Sequence, residues 1–222
     1  MELFRSLAEI SLADVSAFGG KAARLGEALR LGCLVPEGVA LSTELYHRFM
    51  QQGGLQGEIA SILSVMQPTT MTHFEAAAWA IRSAFQVRRV PEELVTAVRA
   101  AWRDLGQSPI AVRSSSINED SPNLSFVGQH ATVLDVSTEE SAIEAVLECW
   151  VSLFSARALS YAHRFGVDLL NSGMAVLLQR MVSPSVRGAM YTVDPISGDP
   201  DVFVLEILEG PSRGIARLDP YE

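Results

Sequence analysis

The chain has 222 residues, of which 48% are hydrophobic and 19% are charged, and its formal net charge is −9. This length and composition are typical of a soluble globular protein with a buried core, and they exclude a disordered chain. The acidic balance disfavours nucleic acid and anionic membranes as partners, so an anionic small ligand must be held by a few placed cations.

The N-terminus lacks the basic region, the long apolar core and the cleavage site of a signal peptide. The longest apolar run, Met174 to Leu178, is too short to span a bilayer. Cys33 and Cys149 are far apart in apolar surroundings, which predicts two buried free thiols and neither a disulfide nor a zinc site. We therefore expect a cytoplasmic protein.

Helices are predicted to dominate residues 1–106. The pair Gly19–Gly20 opens a segment with apolar residues at helical spacing, and Pro91 followed by two acidic residues marks another helix start. A short strand is expected at 39–41. The predicted helices of this half lie at residues 21–30, 43–50, 55–66, 72–87 and 91–106.

Strands are predicted to dominate residues 107–222. The strands lie at residues 110–112, 132–136, 174–182, 188–193 and 202–207, with helices at 137–154 and 155–165. Turn residues at 183–185 predict that the third and fourth strands pair as a hairpin. The order predicts an α+β fold with mainly antiparallel strands, divided into a helix-rich subdomain, 1–106, and a strand-containing lobe, 107–222.

Two cations stand where the backbone is open. Arg113 ends an apolar run and precedes three serines, which suits nucleotide phosphates because a guanidinium offers a fixed fork of donors. The pattern also describes a hairpin with a surface arginine and a solvated loop. Taken by itself, it favours this second interpretation. Lys21 follows Gly19–Gly20 at a helix start, where amides already point at an anion, although taken alone this pattern favours an ordinary helix cap.

Two polar residues interrupt apolar strands. The amide of Gln179 must either bond to the backbone in the core or face a cleft, and the carboxylate of Glu206 raises the same question. The four histidines show no metal-ligand spacing, and no nucleophile–base arrangement follows from position alone.

Taken together, these segments resemble the N-terminal nucleotide-binding domain of the pyruvate phosphate dikinase and phosphoenolpyruvate synthase family, a domain that rifampicin phosphotransferase shares. The resemblance runs over about residues 15–207. It is carried, in chain order, by Gly19-Gly20-Lys21, Val35-Pro36-Glu37-Gly38, Ala111-Val112-Arg113-Ser114-Ser115, Glu119-Asp120, Ser125-Phe126-Val127-Gly128-Gln129, Cys149-Trp150-Val151-Ser152-Leu153-Phe154 with Arg157-Ala158, Gln179-Arg180-Met181-Val182 and Thr192-Val193-Asp194-Pro195.

The resemblance implies an ATP-grasp-like fold, in which ATP and its Mg²⁺ lie between two α+β lobes. It assigns Lys21 and Arg113 to the phosphates of the nucleotide. Gly128 and Thr132 resemble the loop that closes over those phosphates, and Gln179 occupies the position that contacts the nucleotide near the lobe junction.

In the family, ATP phosphorylates a histidine on a separate carrier domain or subunit, so no catalytic residue and no metal ligand is expected in this chain. After Glu206 the sequence departs from the family pattern, and it ends at Glu222, before the acidic, Gln and Arg motif that holds Mg²⁺. We therefore expect the ATP-binding part of a phosphotransferase with a truncated second lobe. Its phosphoryl acceptor cannot be read from the sequence.

The alternative hypothesis is a non-catalytic interaction or regulatory module derived from that domain. In that case the strand at 202–207 would offer an exposed edge to a partner or to a second copy of the chain.

Overall fold

The computed structural model of the protein describes residues 2–66, 70–107, 109–117, 120–121, 124–125 and 131–209. Contacts divide the chain into two compact units, Met1–Met181 and Val182–Glu222. The boundary predicted at residue 106 lies within the first unit. The division into subdomains 1–106 and 107–222 stays a prediction. Among the residues described, none of the helices has the length and hydropathy that a bilayer crossing needs.

Seven α-helices are present in the described part of the chain, within a few residues of their predicted positions. Their bounds are α1 Val15–Arg30, α2 Thr43–Gln51, α3 Leu55–Val65, α4 Met71–Gln86, α5 Glu92–Asp104, α6 Glu139–Ser152 and α7 Ala156–Phe165. Helix α1 differs most from its prediction because two helical segments meet at Gly19, whose φ of 76° interrupts them. A capping box at Thr138 and Ser141 starts α6.

Five antiparallel strands form the main sheet. The strands of the chain are β1 Phe4–Ser6, β2 Gly38–Leu41, β3 Ile110–Ser116, β4 Asp120–Ser121, β5 Leu124–Ser125, β6 Thr132–Val136, β7 Met174–Arg180, β8 Val186–Tyr191 and β9 Val204–Glu209. The main sheet has the order β1-β2-β7-β3-β6, while β4 pairs with β5 and β8 pairs with β9. The predicted α+β class with antiparallel pairing is confirmed.

The predicted hairpin between β7 and β8 is wrong. Strand β7 lies between β2 and β3 and is buried from Met174 to Gln179, whereas β8 pairs with β9 and alternates between exposed and half-buried residues. A continuous apolar strand is stable only where both of its faces are covered, and the centre of the sheet provides that cover. The turn residues after β7 connect the two units instead of closing a hairpin.

The main sheet buries a different core on each face. Val112, Val176 and Leu178 belong to the larger core, to which α2–α7 contribute. Leu177 and Ala40 point the other way and pack with Phe18 and Ala22 of α1 in a smaller core. We call the side of the sheet against which α1 packs the α1 face.

The second unit contains the β8–β9 hairpin. Gly188 lies opposite Ile207, and a methyl group at Gly188 would come within 2.3 Å of the Glu206 carbonyl oxygen. Met190 and Leu205 lie opposite each other and are exposed, as is Ile207. The hairpin therefore keeps a close backbone approach and an uncovered apolar face.

The expectation of two buried thiols is wrong for Cys33. That residue lies in the exposed segment after α1, where the neighbouring leucines are exposed too. Cys149 is buried, and burial raises the pKa of its thiol to about 12.

We expect one thiol per folded chain to react with a chromogenic aromatic disulfide at pH 8, and two in denaturant. The raised pKa keeps Cys149 in its unreactive thiol form far above neutral pH, and burial also excludes the reagent. The released chromophore measures the number. Two thiols reacting at the same rate in the native protein would contradict the position of Cys149.

Replacing Gly26 by alanine is expected to destabilise the fold by about 1–3 kcal/mol, because overpacking displaces the backbone. The added methyl group would lie 2.2 Å from the Ile10 carbonyl oxygen. Gly57→Ala is the matched control in helix α3, where nothing lies within 4 Å of the new methyl. This control should stabilise by up to about 1 kcal/mol through helix propensity. The midpoints of urea unfolding measure the stability of both variants. Equal midpoints for Gly26→Ala and Gly57→Ala would contradict the close packing of α1.

Candidate functional site

The turn at Gly19 is docked directly on strand β3. A methyl group at Gly19 would lie 2.0 Å from the Ser115 carbonyl oxygen, and the φ of 76° also favours glycine. The buried Ser115 hydroxyl accepts a hydrogen bond from the Ala22 amide at 3.1 Å and donates one to the Phe18 carbonyl at 2.9 Å. Ser115 therefore bonds both sides of the turn to the end of the strand.

Lys21 follows this turn and reaches β3. Its ammonium donates a hydrogen bond of 2.7 Å to the carbonyl oxygen of Ser114, which is 93 positions away in sequence. The side chain is partly buried. The contact places the ammonium beside the residue that follows Arg113.

Arg113 is the partly buried residue of a strand that is otherwise buried. Its guanidinium donates to the side-chain oxygen of Gln179 at 3.0 Å. The amide nitrogen of Gln179 donates to the Pro36 carbonyl at 3.1 Å, and Gln179 is only 4% exposed. The amide of Gln179 therefore joins the guanidinium of Arg113 to the segment that leads into β2.

Thr132 lies at the start of the edge strand β6, directly opposite Arg113. Directly opposed residues of antiparallel strands point to the same face of a sheet. Arg113 is in turn opposite Leu177, which packs with α1. The structure thus brings Lys21, Arg113, Thr132 and Gln179 to the α1 face, and the other predicted site residue, Gly128, lies outside the described residues.

Ser114 and Ser115 have roles that the sequence did not indicate. The serines after Arg113 suggested hydroxyl groups for an anion, but β3 continues through them, and all three are buried. The hydroxyl of Ser115 holds the Gly19 turn, while Ser114 uses its carbonyl for Lys21. A glycine pair and a distant serine give no local pattern from which this contact could be found.

Cys149 lies on α6 at the opposite face of the sheet. Burial raises the pKa of its thiol, and the ammonium of Lys21 lowers that pKa by a smaller amount. No three His, Cys, Asp or Glu side chains come together in a metal-binding arrangement within the part of the chain that the structure describes. What this site offers an anion is a fork of donors from Arg113 and a point charge from Lys21.

Comparison with known proteins identifies relatives over most of the chain. A phosphoenolpyruvate synthase of Aeropyrum pernix is 39% identical over 211 residues, which cover 92% of this chain and 26% of the relative. A rifampicin phosphotransferase of Streptomyces is 37% identical over 195 residues, covering 87% of this chain and 22% of the relative. A probable phosphoenolpyruvate synthase of Methanocaldococcus jannaschii is 33% identical over 221 residues, covering 97% of this chain and 19% of the relative.

The chain spans about a fifth to a quarter of the length of these curated relatives. Residues 15–210 match the family model of the pyruvate phosphate dikinase AMP/ATP-binding domain, and this range contains Lys21, Arg113, Gly128, Thr132 and Gln179. The protein therefore belongs to the family of pyruvate phosphate dikinase AMP/ATP-binding domains.

Proposed function

We propose that the chain binds ATP on the α1 face of the main sheet. Lys21 and Arg113 hold the phosphates, Gly128 and Thr132 belong to the segment that closes over them, and Gln179 contacts the nucleotide. The observation that carries the proposal is the bond between Lys21 and the Ser114 carbonyl. This bond brings the ammonium to the strand residue that follows Arg113.

Two different cations suit a triphosphate. A guanidinium binds two phosphate oxygens with a planar fork, while an ammonium is a compact charge that follows a phosphate as it moves. Phosphoryl transfer depends mainly on positioning and on neutralising negative charge, which is what such a pair supplies. The overall charge of −9 repels an anion, and these two cations offset that repulsion locally.

Gln179 has capacity left for the nucleotide. Its oxygen accepts from Arg113 and its nitrogen donates to the Pro36 carbonyl. A primary amide has two N–H donors and two acceptor lone pairs, so one donor and one lone pair remain after these two bonds. In the proposal the remaining groups contact the nucleotide, while the bond to Arg113 orients the guanidinium.

Mg²⁺ is proposed to enter with the triphosphate. This ion is commonly held by one or two carboxylates together with phosphate oxygens and water. Among the residues that the structure describes there is no ready-made cluster of metal ligands. In the proposal, Lys21 and Arg113 contribute charge neutralisation on the protein side.

The reaction proposed for the complete assembly is transfer of a phosphoryl group from ATP to a carrier histidine on a separate domain or subunit. Phosphoenolpyruvate synthase and rifampicin phosphotransferase relatives support this class of enzyme. His73 and His163 lie on α4 and α7, which pack in the core on the sheet face opposite α1. In the proposal, the carrier histidine belongs to a separate domain or subunit and not to this chain.

Arg113→Ala and Lys21→Ala are each expected to weaken binding of Mg-ATP by about 10- to 100-fold, the range for losing a charged hydrogen bond. Arg113→Lys should fall between wild type and Arg113→Ala, because it keeps the charge and loses the fork. Isothermal titration calorimetry measures the affinities. Thermal unfolding of each variant shows whether it is folded.

Arg82→Ala is the matched control for these variants. The Arg82 guanidinium forms a two-pronged ion pair with Glu148 on helices α4 and α6, so its loss removes a charge and a partner elsewhere. It should leave the ATP affinity unchanged. A folded wild-type protein that releases no heat with Mg-ATP, or an Arg113→Ala variant that binds as wild type does, would refute the proposal.

The second candidate, a non-catalytic module, is favoured by the exposed apolar face of the β8–β9 hairpin. Val186, Met190, Leu205 and Ile207 are each more than half exposed. Exposed apolar patches of this kind often mark an interaction surface. Size-exclusion chromatography with light scattering distinguishes the two candidates. A stable dimer that is insensitive to nucleotide, together with no ATP heat, would favour the module.

A further inference from the structure

The end of helix α6 contains the segment from Cys149 to Ser152, which is buried and contributes no group to the α1 face. Its polar atoms instead hold backbone groups of the sheet. The indole nitrogen of Trp150 donates to the Met174 carbonyl at 3.1 Å, at the start of β7. The hydroxyl of Ser152 donates to the Cys149 carbonyl at 2.7 Å and accepts from the Ala131 amide at 3.0 Å.

Ala131 is held at both of its backbone polar groups, the amide and the carbonyl. Its amide is bound by Ser152, and its carbonyl accepts from the Ser114 amide at 3.2 Å and from the Ser114 hydroxyl at 3.0 Å. The thiol of Cys149 lies 3.6 Å from the same carbonyl. Ala131 immediately precedes Thr132, and the carbonyl of Ser114 is the acceptor for Lys21. The backbone of Ala131 therefore connects the end of α6 with Thr132, with Ser114 and, through the Ser114 carbonyl, with Lys21.

The bond from Ser152 gives the start of β6 an anchor outside the sheet. Among the described strands, β6 lies at the edge of the main sheet and pairs with β3. The pairing is regular at Thr132 and Val133 but shifts register before Val136, where Asp135 has a φ of 57°, which is unfavourable for a residue other than glycine. Thr132 itself is exposed, so packing of its side chain does little to hold it.

We propose that Ser152 is a positioning residue of the nucleotide site, which acts from the opposite face of the sheet by holding the Ala131 peptide. The inference rests on the proposed function. With the hydroxyl present, Thr132 and Ser114 are kept in fixed relation, and the carbonyl that receives Lys21 stays beside Arg113. Without it, a partly buried amide loses its partner, and the start of β6 moves until water can reach that amide.

The test compares Ser152→Ala with Ser172→Ala. Ser172 is also a buried serine, and its hydroxyl donates to the Asp168 carbonyl at 2.8 Å in the segment between α7 and β7. Both substitutions remove a buried hydroxyl that donates to backbone, so both should lower the unfolding temperature. Ser152→Ala alone should weaken Mg-ATP binding, on the order of 3- to 10-fold, and accelerate hydrogen exchange of the Ala131 amide. Ser152→Thr, which keeps the hydroxyl, should restore both readouts.

The inference is overturned if Ser152→Ala binds Mg-ATP with wild-type affinity, or if Ser172→Ala weakens binding by as much. It is also overturned if exchange of the Ala131 amide is unchanged in Ser152→Ala. A wild-type protein that binds no ATP identifies failure of the proposed function instead, because the exchange result is obtained without nucleotide. Should Ser152→Ala fail to fold, Ser152→Cys replaces it with the same expectation, since a thiol keeps the volume and is a weak acceptor.

Discussion

The Gly19 turn can lie against β3 only because Gly19 has no side chain. The Ser115 carbonyl occupies the place that a methyl group would take, and the Ser115 hydroxyl bonds to the chain on both sides of the turn. This contact sets where the longer segment of α1 begins and therefore where Lys21 stands. The smaller core of Phe18, Ala22 and Leu177 can then pack between α1 and the sheet. The position of Lys21 thus depends on the close contact between the Gly19 backbone and the Ser115 carbonyl, and not on Lys21 itself.

The two faces of the main sheet differ in what they bury. On one face, helices α2–α7 bury a large apolar core, and the end of α6 holds the backbone of β7 and of Ala131. On the α1 face the core is small, and Arg113 and Gln179 lie where strand residues are usually apolar. These polar groups can be kept there because Gln179 bonds both to the Arg113 guanidinium and to the Pro36 carbonyl. The larger core therefore lies on one face of the sheet, and the proposed nucleotide site lies on the α1 face.

Bonds to backbone carbonyls recur throughout the site. Lys21, Gln179, Ser115 and Ser114 all donate to main-chain oxygens of distant segments. Such bonds fix a side chain against the main chain of a segment that is distant in sequence. The candidate site is therefore assembled from several parts of the chain, which the sheet and α1 bring together.

The sequence by itself determined the helices, most strands, the antiparallel α+β class and the family, because periodicity, capping residues and ordered motifs are local signals. It also predicted a site at Lys21, Arg113, Thr132 and Gln179, residues that the tertiary structure brings to one face of the sheet. It misjudged the partner of β7 and the exposure of Cys33, since both depend on what covers a segment and not on its own residues. The pairing of Gly19 with Ser115 and of Ser152 with Ala131 was decided only by the tertiary structure. A hydrogen bond between segments that far apart leaves no spacing in the chain for a pattern to reveal.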